Sequence, residues 1–174
     1  MINMHDLSKF RLGKSPGEIL AIETRHETVN AALELTKQST HKLTIFSKDL
    51  EPCIYNQPDF LEALKKLALI GRHVRIQILV SNIESIISAG HGLLNLASRL
   101  PSYIELRKIS PEYKNFNKAI LIADEIGYLY RENADHYEGN INFNSRRECK
   151  NWLDTFQEMW ETALPDKNLR KIYL

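Results

Sequence analysis

The sequence is poor in cysteine, has no excess of either charge and contains no long apolar run. Its two cysteines, Cys53 and Cys149, form no CxxC pair, and no Cys/His cluster has zinc spacing. That excludes a disulfide framework and a structural zinc site, and leaves two free thiols, as expected in a reducing compartment. The 23 basic and 22 acidic residues give a net charge of +1. A dedicated nucleic-acid binder carries a clear basic excess, so nucleic acid as a partner has no support from net charge and would need a local patch. No stretch approaches the roughly 20 apolar residues that span a bilayer, so no membrane role is expected. The opening MINMHDLSKFRLGKSPGE is polar and lacks the apolar core of a signal peptide, which predicts a cytoplasmic protein. Nothing in the spacing of residues implies a metal or cofactor.

What is present suits one folded domain. The 174 residues are 43% hydrophobic and 26% charged, enough for a core without staples. Residues 1–18 are polar and read as an irregular arm, with the domain proper over 19–174. A short apolar piece at 19–22 suits an edge strand. Thr24 and Glu27 have capping-box spacing, and Val29, Ala32, Leu33 and Thr36 follow at helical intervals, which predicts a helix over 25–38. HKLTIFS (41–47) reads as a strand and 48–57 as a loop. Pro58 opens a helix whose stripe is Phe60, Leu64, Leu67 and Ala68, with Gly71 as a positive-φ stop. The apolar second half of HVRIQILV (73–80) fits a strand covered on both faces. A helix over 83–100 is broken near Gly90, His91 and Gly92, and Pro101 ends it. Strands follow at 103–107, 118–123 and 126–131, the last two joined by an acidic turn as a hairpin. A short strand is expected at 140–143. Ser145 and Glu148 give a second capping box before a helix with Trp152, Phe156, Met159 and Trp160 on one face, and Leu169, Ile172 and Leu174 in the tail can pack back. Strands alternating with helices, then a hairpin, predict an α/β fold with a mixed sheet flanked by helices.

The run FNKAILIADEIGYLY resembles the late strand and hairpin of a phospholipase D superfamily lobe, where the motif HxKxxxxD is found. Lys118 matches the motif lysine. Phe116 stands where the motif has its nucleophilic histidine, Ala123 where it has aspartate, and Asp124 comes one residue late. The loop RENADHYEGN replaces the short turn that supplies a small residue and an asparagine. The resemblance implies a phospholipase D-like single lobe with a degenerate motif. Along nearly its whole length, through FSKDLEPCIY, GHGLLNLASRLPSYIELR, ADHYEGNINFN and PDKNLRKIYL, the chain also resembles an uncharacterised bacterial domain family. Some members of that family are attached to acetyltransferases of the GNAT type. One domain uses up all 174 residues, so no acetyltransferase is expected in them.

Candidate binding residues follow from the rule that open α/β sheets bind ligands at the carboxyl ends of parallel strands. The rule selects Ser47, Lys48 and Asp49 after one strand and Ser81 and Asn82 after the next, although Asn82 also suits a helix cap. His91 lies between two glycines that either admit a ligand or break a helix. Lys118 is either a retained anion site or a solvated strand opener. Arg131 closes the hairpin. Asp135, His136 and Glu138 place carboxylates beside an imidazole, which a carboxylate can orient and make more basic. Arg146 and Arg147 stand against the dipole at a helix start, a placement that suits a partner or a pairing with Glu138 or Asp135.

Two functional classes remain open. One is a non-catalytic binding or regulatory domain, with a protein, a nucleic acid or a small anion as its partner. The other is a phosphodiesterase or nuclease with a replacement site built from His91, His136 and Lys118, and convergence of the two imidazoles would favour it. Because phospholipase-D-type sites join two lobes, the resemblance also favours a homodimer paired across the strand ends. A monomer with an open cleft is the competing outcome.

Overall fold

The structure, a computed structural model, describes residues 6–163. Thr24 accepts from the Glu27 amide while Glu27 returns to the Thr24 amide, and this capping box opens α1 (Arg25–Gln38) with the predicted boundaries. Strand β1 (Leu20–Ile22) precedes it and β2 (Lys42–Ser47) follows. The stretch 48–57 is not all loop, because Pro52 starts one helical turn, α2 (Pro52–Tyr55). Then come α3 (Pro58–Ala68) and β3 (Arg75–Val80). Gly71 is not the helix stop. The backbone leaves the helix at Leu69, and Gly71 has no positive φ.

The break expected near Gly90 divides α4 (Ile83–Ala89) from α5 (Gly92–Arg99), with Gly90 left-handed at φ 69°. Next are β4 (Ile104–Lys108), β5 (Ala119–Ala123), β6 (Gly127–Arg131), β7 (Gly139–Asn142) and α6 (Arg146–Thr162). The strand expected to begin at Lys118 begins one residue later. The second capping box does not form: Ser145 makes no side-chain cap bond, and its amide donates to the Ile126 carbonyl at 2.8 Å. The arm before β1 is irregular but attached. Gln38 holds it from both sides, accepting from the Leu12 amide and donating to the Phe10 carbonyl, each at 2.8 Å. Phe10 stacks on Phe143 with centroids 5.4 Å apart. The expected packing of Leu169, Ile172 and Leu174 lies outside the described residues.

The seven strands form one mixed sheet in the order β1-β7-β6-β5-β2-β3-β4. Strands β2, β3 and β4 pair in parallel, and β5, β6, β7 and β1 continue antiparallel from β2. Alternation along each strand divides the core between two faces. On one, Leu43, Ile45, Ile76, Ile78, Leu121 and Leu129 meet α1, α3 and α5 through Leu35, Leu64 and Leu93. On the other, Phe46, Leu79, Ile120, Ile122 and Tyr128 meet α6 through Cys149, Phe156, Met159 and Trp160. Among the described residues, no helix is long and apolar enough to cross a membrane.

Candidate functional site

Because β5 runs against β2, the carboxyl ends of β2, β3 and β4 lie at the same sheet end as the start of β5 and the finish of β6. Ser47, Lys48, Ser81, Asn82, Phe116, Lys118 and Arg131 therefore share one rim, together with the 132–138 loop. This is the rim the strand-end rule selects.

On the α6 face, Phe116 sits edge-on against Phe46, centroids 4.6 Å apart at 83°. Two residues on, the Lys118 ammonium donates to the Tyr130 hydroxyl at 3.1 Å and to the Glu132 carboxylate at 3.1 and 3.2 Å. It lies 5.4 Å from the Trp152 ring, which stacks on Tyr130 at 4.5 Å. The Tyr130 hydroxyl also donates to Glu132. The Tyr130 bond, joined by that to Glu132, holds Lys118 above its ordinary pKa, while the Tyr130 and Lys118 bonds hold Glu132 below its own. Lys118 is thus a charged lysine already neutralised by its own chain.

On the other face, Arg131 is buried with its guanidinium against the Glu51 carboxylate, and Nη1 also donates to the His136 carbonyl at 2.9 Å. Burial pushes the Glu51 carboxyl up, against the pull of the guanidinium. Asn117 donates to Asn133 at 2.9 Å and to Asp135 at 3.1 Å, and Lys48 pairs with Asp135 at 3.0 Å. The Lys48 hydrogen bond, then that of Asn117, holds the Asp135 carboxyl below its ordinary value. His136 is exposed, with Nδ1 3.5 Å from Glu138.

Ser47 and His91 support the loop after β2. Leu50 is fully buried and left-handed at φ 49°, a conformation that strains a residue with a branched side chain. The Ser47 hydroxyl accepts from the Leu50 amide at 2.9 Å, and His91 Nε2 meets the Leu50 carbonyl at 2.8 Å. His91 Nδ1 accepts from the Leu93 amide at 3.1 Å, so the ring is the Nε2–H tautomer with both nitrogens engaged. The structure therefore does not bring His91 and His136 together through their ring nitrogens. Asn82 caps α4, accepting from the Ser85 amide at 3.3 Å. Asp49, half-buried on the same loop, contributes negative charge near both His91 and Glu51. Arg146 and Arg147 pair with neither Glu138 nor Asp135, since α6 starts at the opposite end of the sheet, and those acids pair with His136 and Lys48.

Sequence reasoning did not single out Glu51, Asn117, Tyr130, Glu132 or Asn133. Strand alternation places Tyr130 and Lys118 on one face, and that signal was available. The pairing of Glu51 with Arg131 joins residues 80 apart and leaves no local trace. Buried Cys149 supplies no nucleophile, because burial pushes its thiol up to about 12. The described residues hold no group of three or more His, Cys, Asp or Glu side chains placed to share a metal ion.

Chemically, four cations of the rim, Lys48, Lys108, Lys118 and Arg131, are each spent on a carboxylate of the same chain. Two residues before Lys118 the rim carries a packed phenyl ring, Phe116.

The profile of a family described as a domain of unknown function, DUF7931, matches residues 24–172. No curated protein matches the chain. Among solved structures, TrmBL2, an archaeal chromatin protein reported to show a novel mode of DNA binding, is similar at a TM-score of 0.63 and 16% identity over 88% of this chain. The chain spans 56% of that protein's length. Nuc, a phospholipase D family member from Salmonella typhimurium, is similar at a TM-score of 0.58 and 15% identity, covering 84% of this chain and 97% of its own. NucT from Helicobacter pylori is similar at 0.63 and 14% identity, covering 86% of this chain and 100% of its own. At these identities the likeness establishes the fold, which is phospholipase D-like.

Proposed function

The chain belongs to the DUF7931 family, and on that premise we propose that it is a non-catalytic binding domain, derived from a phospholipase D-like lobe, whose partner is a protein. The observation that carries this reading is Phe116 packed edge-on against Phe46 at the position that resembles the motif histidine. Covalent phosphoryl chemistry there needs an imidazole lone pair to attack phosphorus, and a phenyl ring has none. The neighbouring cation is no substitute. Lys118 is occupied by Glu132, and an incoming phosphate would have to displace that carboxylate. The same pairing at Lys48 and Arg131 weighs against nucleic acid at this rim, because phosphate recognition depends on uncompensated positive charge. A rim of mutually paired side chains, partly exposed at Lys48 and Lys118 and with aromatic rings beside them, instead suits a protein surface.

One observation favours the second reading, a phosphodiesterase or nuclease with a replacement site: His136 is exposed and its Nδ1 lies 3.5 Å from Glu138, so a small side-chain movement would let the carboxylate orient the ring as a base. The two readings separate in one assay. The purified chain is expected not to hydrolyse bis-p-nitrophenyl phosphate above background, and Phe116→Ala to leave that result unchanged. Robust turnover abolished by His136→Ala would overturn the binding reading.

A further inference from the structure

The sheet end opposite the candidate rim also carries Lys42 paired with Glu125, and Glu148 in the first turn of α6, but beside them it holds cations that no carboxylate neutralises. There a cleft of about 660 Å³ is lined by Arg11, Lys14, His41 and Arg146, with Leu12 and Ile126 as its apolar wall. Its one carboxylate is Asp124, and that group is already saturated. It accepts from the amides of Thr40 at 2.9 Å, His41 at 2.8 Å and Lys42 at 2.9 Å, and from the Thr40 hydroxyl at 3.2 Å. Among the described residues, Arg11, Lys14 and Arg146 pair with no carboxylate. Among the described residues, the Arg11 guanidinium donates to the backbone carbonyls of Ser8 and Phe10 and to no carboxylate.

Two further facts raise the positive potential. Arg146 opens the 17-residue α6, with Arg147 beside it, so both add charge to the positive end of the helix dipole, which disfavours them. Ser145 makes no side-chain cap bond, so the first turn has no oxygen from that residue facing its amides. On one rim Lys48, Lys108, Lys118 and Arg131 are each paired with a carboxylate, whereas in the cleft at the other end Arg11, Lys14 and Arg146 pair with none among the described residues. Residues held against a local preference mark sites where another requirement outweighs it. Here a bound anion would turn the cost into a gain.

We infer that this cleft binds a phosphate group, presented by a small phosphorylated molecule whose less polar part lies along Leu12 and Ile126. The volume is in the range of small-ligand sites, roughly 300–1,000 Å³, and far exceeds what bare phosphate needs. A guanidinium and an ammonium together suit a phosphate oxygen set, one as a planar fork and the other as a point charge. A nucleic-acid backbone is the other source of the same group.

The test follows amide shifts of the full chain at fixed ionic strength, with inorganic phosphate, adenosine monophosphate and a single-stranded oligonucleotide lacking terminal phosphates as separate probes. Saturable shifts at Thr40, His41, Arg146 and Arg147 are expected with adenosine monophosphate, with Kd on the order of 1 mM or tighter. Arg146→Gln, which removes an unfavourable charge and so preserves the fold, is expected to weaken binding about tenfold, as is Lys14→Gln. Lys66→Gln, on an exposed face of α3, is expected to change nothing. Stronger binding of the oligonucleotide, weakened by the same variants, would keep the phosphate site and assign its source to nucleic acid. Shifts absent with all three probes, or binding that survives Arg146→Gln and Lys14→Gln together, would overturn the proposal.

Discussion

At the scale of single residues, the roles of polar groups on the rim are set by what they hold, and His91 makes the point testable. Burial holds its pKa below the ordinary 6.5, since the ring is enclosed and must keep Nδ1 bare to accept from Leu93. The folded state therefore takes up this proton less readily than the unfolded chain. The stability His91 contributes is complete above 6.5 and is lost as pH falls below 6.5 through the lowered folded value. Urea midpoints of the parent chain should fall between about pH 7.5 and about pH 5.5. In His91→Gln the fall should be smaller, with a cost of about 1–3 kcal/mol already present at the higher pH. A variant that tracks the parent at both pH values sinks this assignment. The strand-end rule placed Ser47 and Asn82 from the sequence, and these two, with His91, Lys118 and Arg131, are at one end of the sheet or support its loops. The sequence did not disclose their duties. Whether a lysine is a bare anion site or the partner of Glu132 depends on which face each residue takes, and whether a histidine is a base depends on the Leu50 carbonyl 41 residues away.

At the scale of elements, the β5–β6 turn shows how one residue can serve a local and a distant contact at once. Asp124 and Glu125 both have positive φ, 52° and 61°, and the Ile126 amide closes the turn on the Ala123 carbonyl at 2.9 Å. Glycine and asparagine normally occupy such positions. Glu125 gains little there, because its pair with Lys42 is exposed and worth roughly 0–1 kcal/mol. Glu125→Gly should therefore leave stability unchanged or raise it by up to about 0.5 kcal/mol. Asp124→Gly relieves the same strain but removes the carboxylate that three successive amides at the start of β2 address, and should cost about 2 kcal/mol net. Melting curves of the two variants should move in opposite senses, or differ by several degrees; equal shifts would refute the division of labour. The elements that were legible have local causes: the Thr24–Glu27 box for α1, the acidic turn for the hairpin, Gly90 for the break between α4 and α5. Those misread depend on packing. At α6 the Ser145 amide is taken by Ile126, so the second box never forms, and at Gly71 the helix has already ended.

At the scale of the whole molecule, the chain has a phospholipase D-like fold that takes in almost all of Nuc and NucT, with 97% and 100% of their chains covered. At the rim, exposed Lys48, partly exposed Lys118 and buried Arg131 are each paired with a carboxylate, and that pairing bears on assembly. A rim of unpaired like charges would repel a copy of itself across a two-fold axis. A rim in which Lys48, Lys118 and Arg131 are each neutralised has no such penalty, and the exposed His136–Glu138 pair can exchange contacts with its symmetry mate. Two-fold pairing through this rim is therefore the expected assembly, consistent with two-folds being the commonest symmetry of homo-oligomers. A stable pair needs about 1,000 Å² buried in total, or about 500 Å² from each chain. That is a small part of the 9501 Å² the described residues expose. Light scattering at micromolar concentration should give twice the chain mass of 20.2 kDa. Under mild oxidation His136→Cys should cross-link two chains, because the 132–138 loop would lie near the axis, while Glu158→Cys on α6 should not. A mass equal to one chain ends the idea outright. A dimer that cross-links through Glu158→Cys and not through His136→Cys would have the right mass and the wrong surface, and would leave the rim to a different protein.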